Sequence, residues 1–309
     1  MNYISIISEY CKNKRCIVKI NESLKEYTAF KIGGTAEAVV LPEDKETLIG
    51  LFKIIKEHKI KYILLGNASN VLISENHFDG VFIMTSQMNN ITVGRGVPDA
   101  PPSIHADCGA PLNKLAGTAK EHSLSGLEFA YGIPGSLGGA VYMNAGAYGG
   151  QMSDIVYSGE YLDTDTLEVV TINAQAHKFA YRKSVFAENS NYIILSSVLK
   201  LKHGDKSDID ALMTKNMSAR KEKQPLEYPS AGSVFKRGEG YFTAKLIEDC
   251  GLKGCQIGGA QVSEKHAGFI INKGGAKFPD VVNLIEHIKA AVFNKTGIKI
   301  ECEVKIIDF

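Results

Sequence analysis

The stretch GLEFAYGIPGSLGGAVYMNAGAYGG, from Gly126 to Gly150, holds eight glycines and a single charged side chain, Glu128. Glycine loses more conformational entropy on folding than any other residue, so such a cluster costs stability unless bare backbone does something a side chain would prevent. One reading is a loop of tight, left-handed turns. The other is a cradle in which successive amides converge on an anion, usually a phosphate. The apolar residues favour the cradle: Leu127, Phe129, Ile133, Leu137, Val141 and Met143 call for burial, which places the segment in a cleft beside a large ligand. A second loop, Gly66-Asn67-Ala68-Ser69-Asn70, leaves the β-branched run ending at Leu65 and offers the amides and hydroxyls that a phosphate needs. The same residues also make ordinary turns. Gly33-Gly34 in FKIGG is a third backbone-rich point.

Toward the C-terminus, QPLEYPSAGSVFKR fixes the chain with Pro225 and Pro229 and then presents Ser230-Ala231-Gly232-Ser233. A loop capping a strand explains it blandly. As chemistry, nucleophilic serine needs a histidine base and a carboxylate, and no GxSxG elbow is present, so proton donation by Ser233 is the more plausible role. IKIECEVKIID alternates, with Ile298, Ile300, Cys302, Val304 and Ile306 on one face and Lys299, Glu301, Glu303 and Lys305 on the other, as one strand. Its polar face is solvated by default, and Arg182 in FAYRKSVF is by spacing alone a surface arginine. GRGVPD and GEGYFT lack the third glycine of the dinucleotide fingerprint, and no GxxxxGK[ST] occurs, so a bound nucleotide implies a fold other than Rossmann. Cys11/Cys16 and Cys250/Cys255 have C-x4-C spacing without a CxxC or histidine pair. Neither a metal site nor a disulfide framework is expected, and the thiols should be reduced and mostly buried.

The elements that position these residues are mixed. Helical periodicity marks Leu48, Leu51, Phe52 and Ile55 after an Asp44 cap; Leu112, Leu115, Ala116 and Ala119 after Pro111; Ile209, Leu212, Met213 and Met217 after Ser207; and Val281, Leu284, Ile285 and Ile288 from Asp280 to near Gly297. Between them CIVKI, EAVVLP, KYILLG, GVFIM, SIHADC, LEVVTI, YIILSSVLKL and GFIIN read as strands. With 309 residues, 44% hydrophobic, the chain is globular and long enough for two domains, divided near LKHGDKSDID into residues 1–204 and a smaller α+β unit, 205–309. A net charge of +1 without a basic stripe argues against a nucleic-acid partner. The first residues show no signal peptide, and no run of eighteen apolar residues occurs, so a cytoplasmic protein without membrane attachment is expected.

In order and spacing along nearly the whole chain, TAFKIGG, LGNASNVLIS, GLEFAYGIPGSLGGAVYMNAGAYG, YRKSVF, QPLEYPSAGSVFK, GLKGCQIGGAQVSEKHAGFIIN and ECEVKIID resemble the UDP-N-acetylenolpyruvoylglucosamine reductases. These are flavoenzymes of peptidoglycan precursor synthesis. The resemblance implies an α+β fold: a two-part FAD-binding domain of the vanillyl-alcohol-oxidase (PCMH) type, then a smaller substrate-binding domain to which strand 298–308 adds active-site residues. It implies FAD and NADPH as cofactors and a UDP-sugar enolpyruvyl ether as substrate, with oligomeric state left open. Gly66, Asn67, Ala68, Ser69 and Asn70 would then line the FAD site at the pyrophosphate, and Ile133, Pro134, Gly135, Ser136, Gly138 and Gly139 would lie along the flavin. Arg182 and Glu303 would stabilise negative charge developing on the substrate carboxylate. The glutamate would help there only if protonated. Ser233 would deliver a proton to the adjacent carbon. Gln224 and His266 are candidate substrate contacts, with structural hydrogen bonding equally open.

Lys31 stands where the family more often has Arg, and Ala68 where a third glycine is frequent. Between Arg182 and Gln224 the chain is too short for the tyrosine-bearing lid of one subclass, which points to the subclass without it. Two other readings stand beside the reductase. An FAD-dependent oxidase of the same fold would not need the Arg182, Ser233 and Glu303 set. A non-catalytic flavin- or sugar-nucleotide-binding module would not retain it.

Overall fold

The structure, a computed structural model, describes residues 3–94 and 102–309; residues 95–99 of the GRGVPD run fall outside the described residues. The chain is built as two compact units. One comprises Met1–Ile20, Glu37–Asn67 and Asp79–Ser218, and the other Asn21–Ala36, Ala68–Phe78 and Ala219–Phe309. The late division thus falls at Ser218, inside the helix Lys206–Lys223, and not at residue 204. Ile209 and Met213 of that helix are buried in the first unit's hydrophobic core, which keeps its first turns there. The second unit gains two early segments, one of them because Lys305–Ile307 pairs in parallel with Val71–Ile73.

The first unit carries a five-stranded antiparallel sheet in the order Glu168–Asn173, Val156–Asp163, Tyr192–Lys200, Ser103–Asp107, Ile91–Gly94. A second sheet runs in the order Cys16–Ser23, Thr35–Pro42, His77–Met84, Tyr62–Leu65. The helix Lys45–His58 starts where expected: Asp44 Oδ1 accepts from the Thr47 amide at 2.8 Å, satisfying one of the orphan donors of the first turn. It buries Leu48, Leu51, Phe52 and Ile55. An N-terminal helix, Tyr3–Lys12, lies along it; the Tyr10 hydroxyl donates to the Thr47 carbonyl at 3.1 Å, and a Cβ at Gly50 would overlap the Tyr10 ring.

In the second unit the antiparallel ribbon Gln256–Ile257, Ala260–Val262, Ile270–Asn272 packs on the helix Phe278–Thr296. That helix begins at Phe278, two residues before Asp280. The Asp280 carboxylate reaches back to accept from the Lys277 and Gly259 amides, each at 3.0 Å, and Gly297 at φ 71° ends the helix. The expected long C-terminal strand 298–308 is a short strand, Lys305–Ile307, preceded by an irregular segment. Val304 is buried but Ile306 is 41% exposed, so the alternation breaks between them. Its cause is a change of partner: the Lys236 amide donates to Glu301 O at 2.9 Å, whereas the Lys305 amide donates to Asn70 O at 3.0 Å.

His177 is fully buried in the first unit, stacked on Phe179 with centroids 5.0 Å apart and edge-on to Phe186. Its Nδ1–H donates to the Asn173 carbonyl at 2.8 Å, while Nε2 is buried with no hydrogen-bond partner. Burial holds its pKa below the ordinary 6.5. The unfolded chain therefore binds a proton at a pH where the folded chain does not, and stability falls as pH drops through 6.5 and below. Thermal melts from neutral to mildly acidic pH should show this decline, and His177→Phe should make it shallower. An unchanged slope in the variant would contradict the assignment.

Candidate active site

Gly66, which opens the shorter loop, meets Ser136 of the glycine-rich stretch within the first unit. A Cβ at Gly66 would overlap Ser136 Oγ while standing 3.5 Å from Ser136 Cβ, so a side chain there would turn the serine hydroxyl off its cap. Ser136 is 1% exposed and caps the short helix Leu137–Tyr142, its Oγ accepting from the Gly139 amide at 3.5 Å. The next amides are engaged within the protein: Leu137 donates to Ala110 O at 2.9 Å and Gly138 to Cys108 O at 2.7 Å. A Cβ at Gly138 would stand 2.8 Å from Cys108 Cβ, so close packing by itself requires this glycine. Leu127, Phe129, Leu137 and Val141 belong to the hydrophobic core and are not ligand lining; Ile133 and Met143 are half-buried. Left-handed backbone is confined to Gly126, Asn144, Tyr148 and Gly149. The segment therefore combines turns near its ends with close packing in its middle. Pro134 and Gly139 are exposed and Gly135 is half-buried, which leaves accessible backbone beside Ser136 and Gly66. This bare, accessible backbone fits a flavin dinucleotide.

Arg182 occupies a tight turn in the same unit, closed by Ala180 N to Lys183 O (3.0 Å) and Lys183 N to Ala180 O (3.1 Å). Its φ is 55°, left-handed backbone that costs an L-residue roughly 1–2 kcal/mol. The turn is anchored on both sides: Asn144 Nδ2 donates to Ala180 O at 3.1 Å and the Ser184 hydroxyl to Tyr142 O at 2.7 Å. The guanidinium donates to Gly146 O at 3.4 Å and lies 5.2 Å from the Tyr181 ring centroid. Asn144 and Ser184 escaped the sequence reading. Both are buried polar residues, and an asparagine inside a glycine-rich run was the available signal.

In the second unit, Ser233 and Glu303 lie on adjoining segments. Val234 donates to Gly268 O at 2.8 Å, and its own carbonyl accepts from the Glu303 amide at 2.7 Å and the Val304 amide at 3.3 Å. Two consecutive residues facing one is the arrangement of a β-bulge, which re-aims side chains. Ser233 follows Gly232 at φ 76°, is half-buried, and donates to Phe235 O at 3.3 Å. Asn70, expected at the pyrophosphate, donates its side-chain amide to Glu303 O at 3.2 Å while its own carbonyl accepts from Lys305. Ala68 in the same loop is buried at φ 44°, a left-handed backbone that favours glycine. His266 Nδ1 accepts from the Gly268 amide at 3.1 Å and its ring meets Phe269 edge-on at 4.9 Å; burial lowers its pKa. These bonds fix the turn whose Gly268 carbonyl holds Val234. Gln224 differs, since its Oε1 is buried without a protein hydrogen-bond partner. Gly33-Gly34 is a packing feature, because a Cβ at Gly34 would overlap the Glu75 and Asn76 backbone. Among the described residues no group of three or more His, Cys, Asp or Glu side chains could hold a metal. The six cysteines are free, Cys11 and Cys108 buried and the other four half-buried, so fewer are buried than expected.

Residues 36–173 match the family described as FAD binding domain, and residues 224–307 match UDP-N-acetylenolpyruvoylglucosamine reductase, C-terminal domain. The chain is 46% identical over 288 residues to the UDP-N-acetylenolpyruvoylglucosamine reductase of Caldanaerobacter subterraneus subsp. tengcongensis, covering 93% of each. To that of Clostridioides difficile it is 41% identical over 306 residues, 99% of this chain and 97% of the relative. The chain belongs to the UDP-N-acetylenolpyruvoylglucosamine reductase family. A crystal structure of the reductase from Thermus caldophilus superposes with a TM-score of 0.77 at 30% identity, covering 95% of this chain and 99% of that one. The family match makes the protein an FAD-dependent oxidoreductase, with the two-part FAD-binding fold of the vanillyl-alcohol-oxidase type and a reductase C-terminal domain. A glucose dehydrogenase, Phl p 4.0202, shares the fold alone, with a TM-score of 0.51 at 12% identity over 67% of this chain. No helix among the described residues is long and apolar enough to cross a membrane.

Two substitutions separate the two ends of the Gly66–Asn70 loop. Gly66→Ala should weaken FAD retention, read as a lower flavin-to-protein absorbance ratio after gel filtration. Asn70→Ala should lower turnover ~10- to 100-fold by loosening Glu303, with flavin retained at wild-type level. Flavin loss in Asn70→Ala would return that side chain to the cofactor.

Proposed function

We propose that the protein reduces UDP-N-acetylglucosamine enolpyruvate to UDP-N-acetylmuramate at the expense of NADPH, in peptidoglycan precursor synthesis. The observation that carries the reading is the Ser233–Val234–Glu303 arrangement in a chain whose C-terminal part matches the reductase. FAD, when bound, supplies the redox chemistry that links NADPH to the enolpyruvyl group. Gly66, Asn67, Ala68, Ser69, Ile133, Pro134, Gly135, Ser136 and Gly139 are the residues proposed to hold it, with Gly138 supporting them from within. The first unit is assigned to cofactor work, Arg182 excepted, and the second to substrate, Ala68 and Ser69 excepted. Both UDP-sugars and NADPH are cytosolic metabolites, which places the reaction in the cytoplasm.

The chain's own residues then act on charge and protons. Reduction at the methylene carbon drives negative charge onto the substrate carboxylate, and stabilising that charge requires donors already in place. Arg182 offers a planar fork of N–H groups suited to a carboxylate, on a turn that holds the residue in strained backbone. Glu303, in its acid form, donates a second hydrogen bond; the bulge at Val234 fixes its backbone and Asn70 holds its carbonyl. The Ser233 hydroxyl delivers a proton to the carbon next to the carboxylate. Serine is a feeble acid, and the enolate-like charge is the strong base that makes the transfer feasible. Gln224 Oε1, buried and unpartnered, accepts from an N–H or O–H of the sugar nucleotide.

Ser233→Ala tests this assignment, because the hydroxyl is needed in one half-reaction only. In stopped flow, reduction of bound flavin by NADPH should keep its wild-type rate, while reoxidation by substrate slows by ~10²- to 10⁴-fold. Equal slowing of both halves would remove Ser233 from proton delivery.

A further inference from the structure

Cys11 lies in the last turn of the N-terminal helix and Cys16 opens the strand Cys16–Ser23, so only four residues separate them, Lys12, Asn13, Lys14 and Arg15. The turn brings their sulfurs into hydrogen-bond contact at 2.8 Å. Both line a surface groove of about 300 Å³ that also takes in Ser8, Lys12 and Lys14. Ser8 Oγ is buried there with no hydrogen-bond partner, Val18 and Ile20 add apolar lining, and Lys14 stands on the rim with Lys12, which pairs with Glu9 at 3.9 Å. The groove thus pairs two adjoining thiols with an unmet polar group and cations, features suited to a small anionic molecule. Cys16 is half-buried and Cys11 buried, so Cys16 is the sulfur open to the groove and Cys11 the one behind it; Cys108, buried with no neighbouring thiol, has its own pushed up to about 12.

We propose that Cys11 and Cys16 form a reversible redox pair, closed to an intramolecular disulfide by exchange with low-molecular-weight disulfides of carboxylate-bearing thiols that dock in this groove. One thiolate of the pair attacks a sulfur of the small disulfide, forming a mixed disulfide and expelling one thiolate, which takes up a proton. The second protein thiol gives up its proton and attacks the protein-bound sulfur, expelling the other small thiol. In sum, two protein thiols and one small disulfide become one protein disulfide and two small thiols; the protein loses two electrons and the small disulfide gains them. The new bond ties the last turn of the helix Tyr3–Lys12 to the first residue of the strand, and a small thiol in excess reverses it.

The test uses the purified full-length protein and oxidised glutathione as the probe. After incubation, alkylation and digestion, peptide mass mapping should show a Cys11–Cys16 cross-link. The thiols titratable after denaturation should fall from six by two, to four, and dithiothreitol should restore them. Cys11→Ser should lose the cross-link and instead retain one glutathione on Cys16, and Cys16→Ser should lose the cross-link. Wild-type protein that stops at a mixed disulfide overturns the proposal. So does wild-type protein in which both thiols stay alkylatable while Cys250, Cys255 or Cys302 reacts.

Discussion

The Val234 carbonyl is the point on which the proposed catalytic centre depends. It accepts the Glu303 and Val304 amides, so two residues of the C-terminal segment face one residue of the serine-bearing segment. A regular ladder would give each amide its own acceptor and keep Glu303 on the same face as Lys305. The doubled acceptance shifts the phase by one residue. Val304 goes into the core, Ile306 comes out, and the chain is released from 233–236 to pair with Val71–Ile73. One hydrogen-bonding irregularity therefore fixes Glu303 beside the Ser233 segment and ties the Ala68–Phe78 segment to the C-terminus.

Close approach plays the corresponding part at the proposed cofactor site. Gly66 against Ser136 and Gly138 against Cys108 are contacts that a methyl group would disturb, and they lock two loops and a short helix together before any ligand is considered. Backbone strain is found at the same places. Arg182 and Ala68 both hold left-handed φ without being glycine, and each turn is secured by neighbours: Asn144 and Ser184 for the first, the Ala29 amide on Ala68 O for the second. Strain of this kind persists only where the surroundings over-determine it, and it concentrates at functional sites.

Much of this was legible in the sequence wherever the determinant is local. Asp44 and the 48, 51, 52, 55 spacing announce a helix because cap and periodicity lie within one turn or two of each other. The strand Val156–Asp163 was missed because its pairing slips between Val156 and Ser158 and again between Glu160 and Tyr161, which scrambles the period of two. The break after Val304 was hidden because its cause, the carbonyl of Val234, lies seventy residues upstream. For the same reason Asn70 read as a phosphate ligand: its turn chemistry is local, whereas its bond to Glu303 spans 233 residues. The helix Tyr3–Lys12 carries the i, i+3, i+7 pattern at Ile4, Ile7 and Cys11 but no recognisable cap to mark its start.

The central claim is that one flavin centre serves both NADPH and the enolpyruvyl ether. The most direct test is an anaerobic absorbance titration of the FAD-loaded protein, first with NADPH and then with UDP-N-acetylglucosamine enolpyruvate. NADPH should bleach the oxidised-flavin band and the enolpyruvyl substrate should restore it fully, with UDP-N-acetylmuramate formed in equal amount. Bleaching that only oxygen reverses would contradict it.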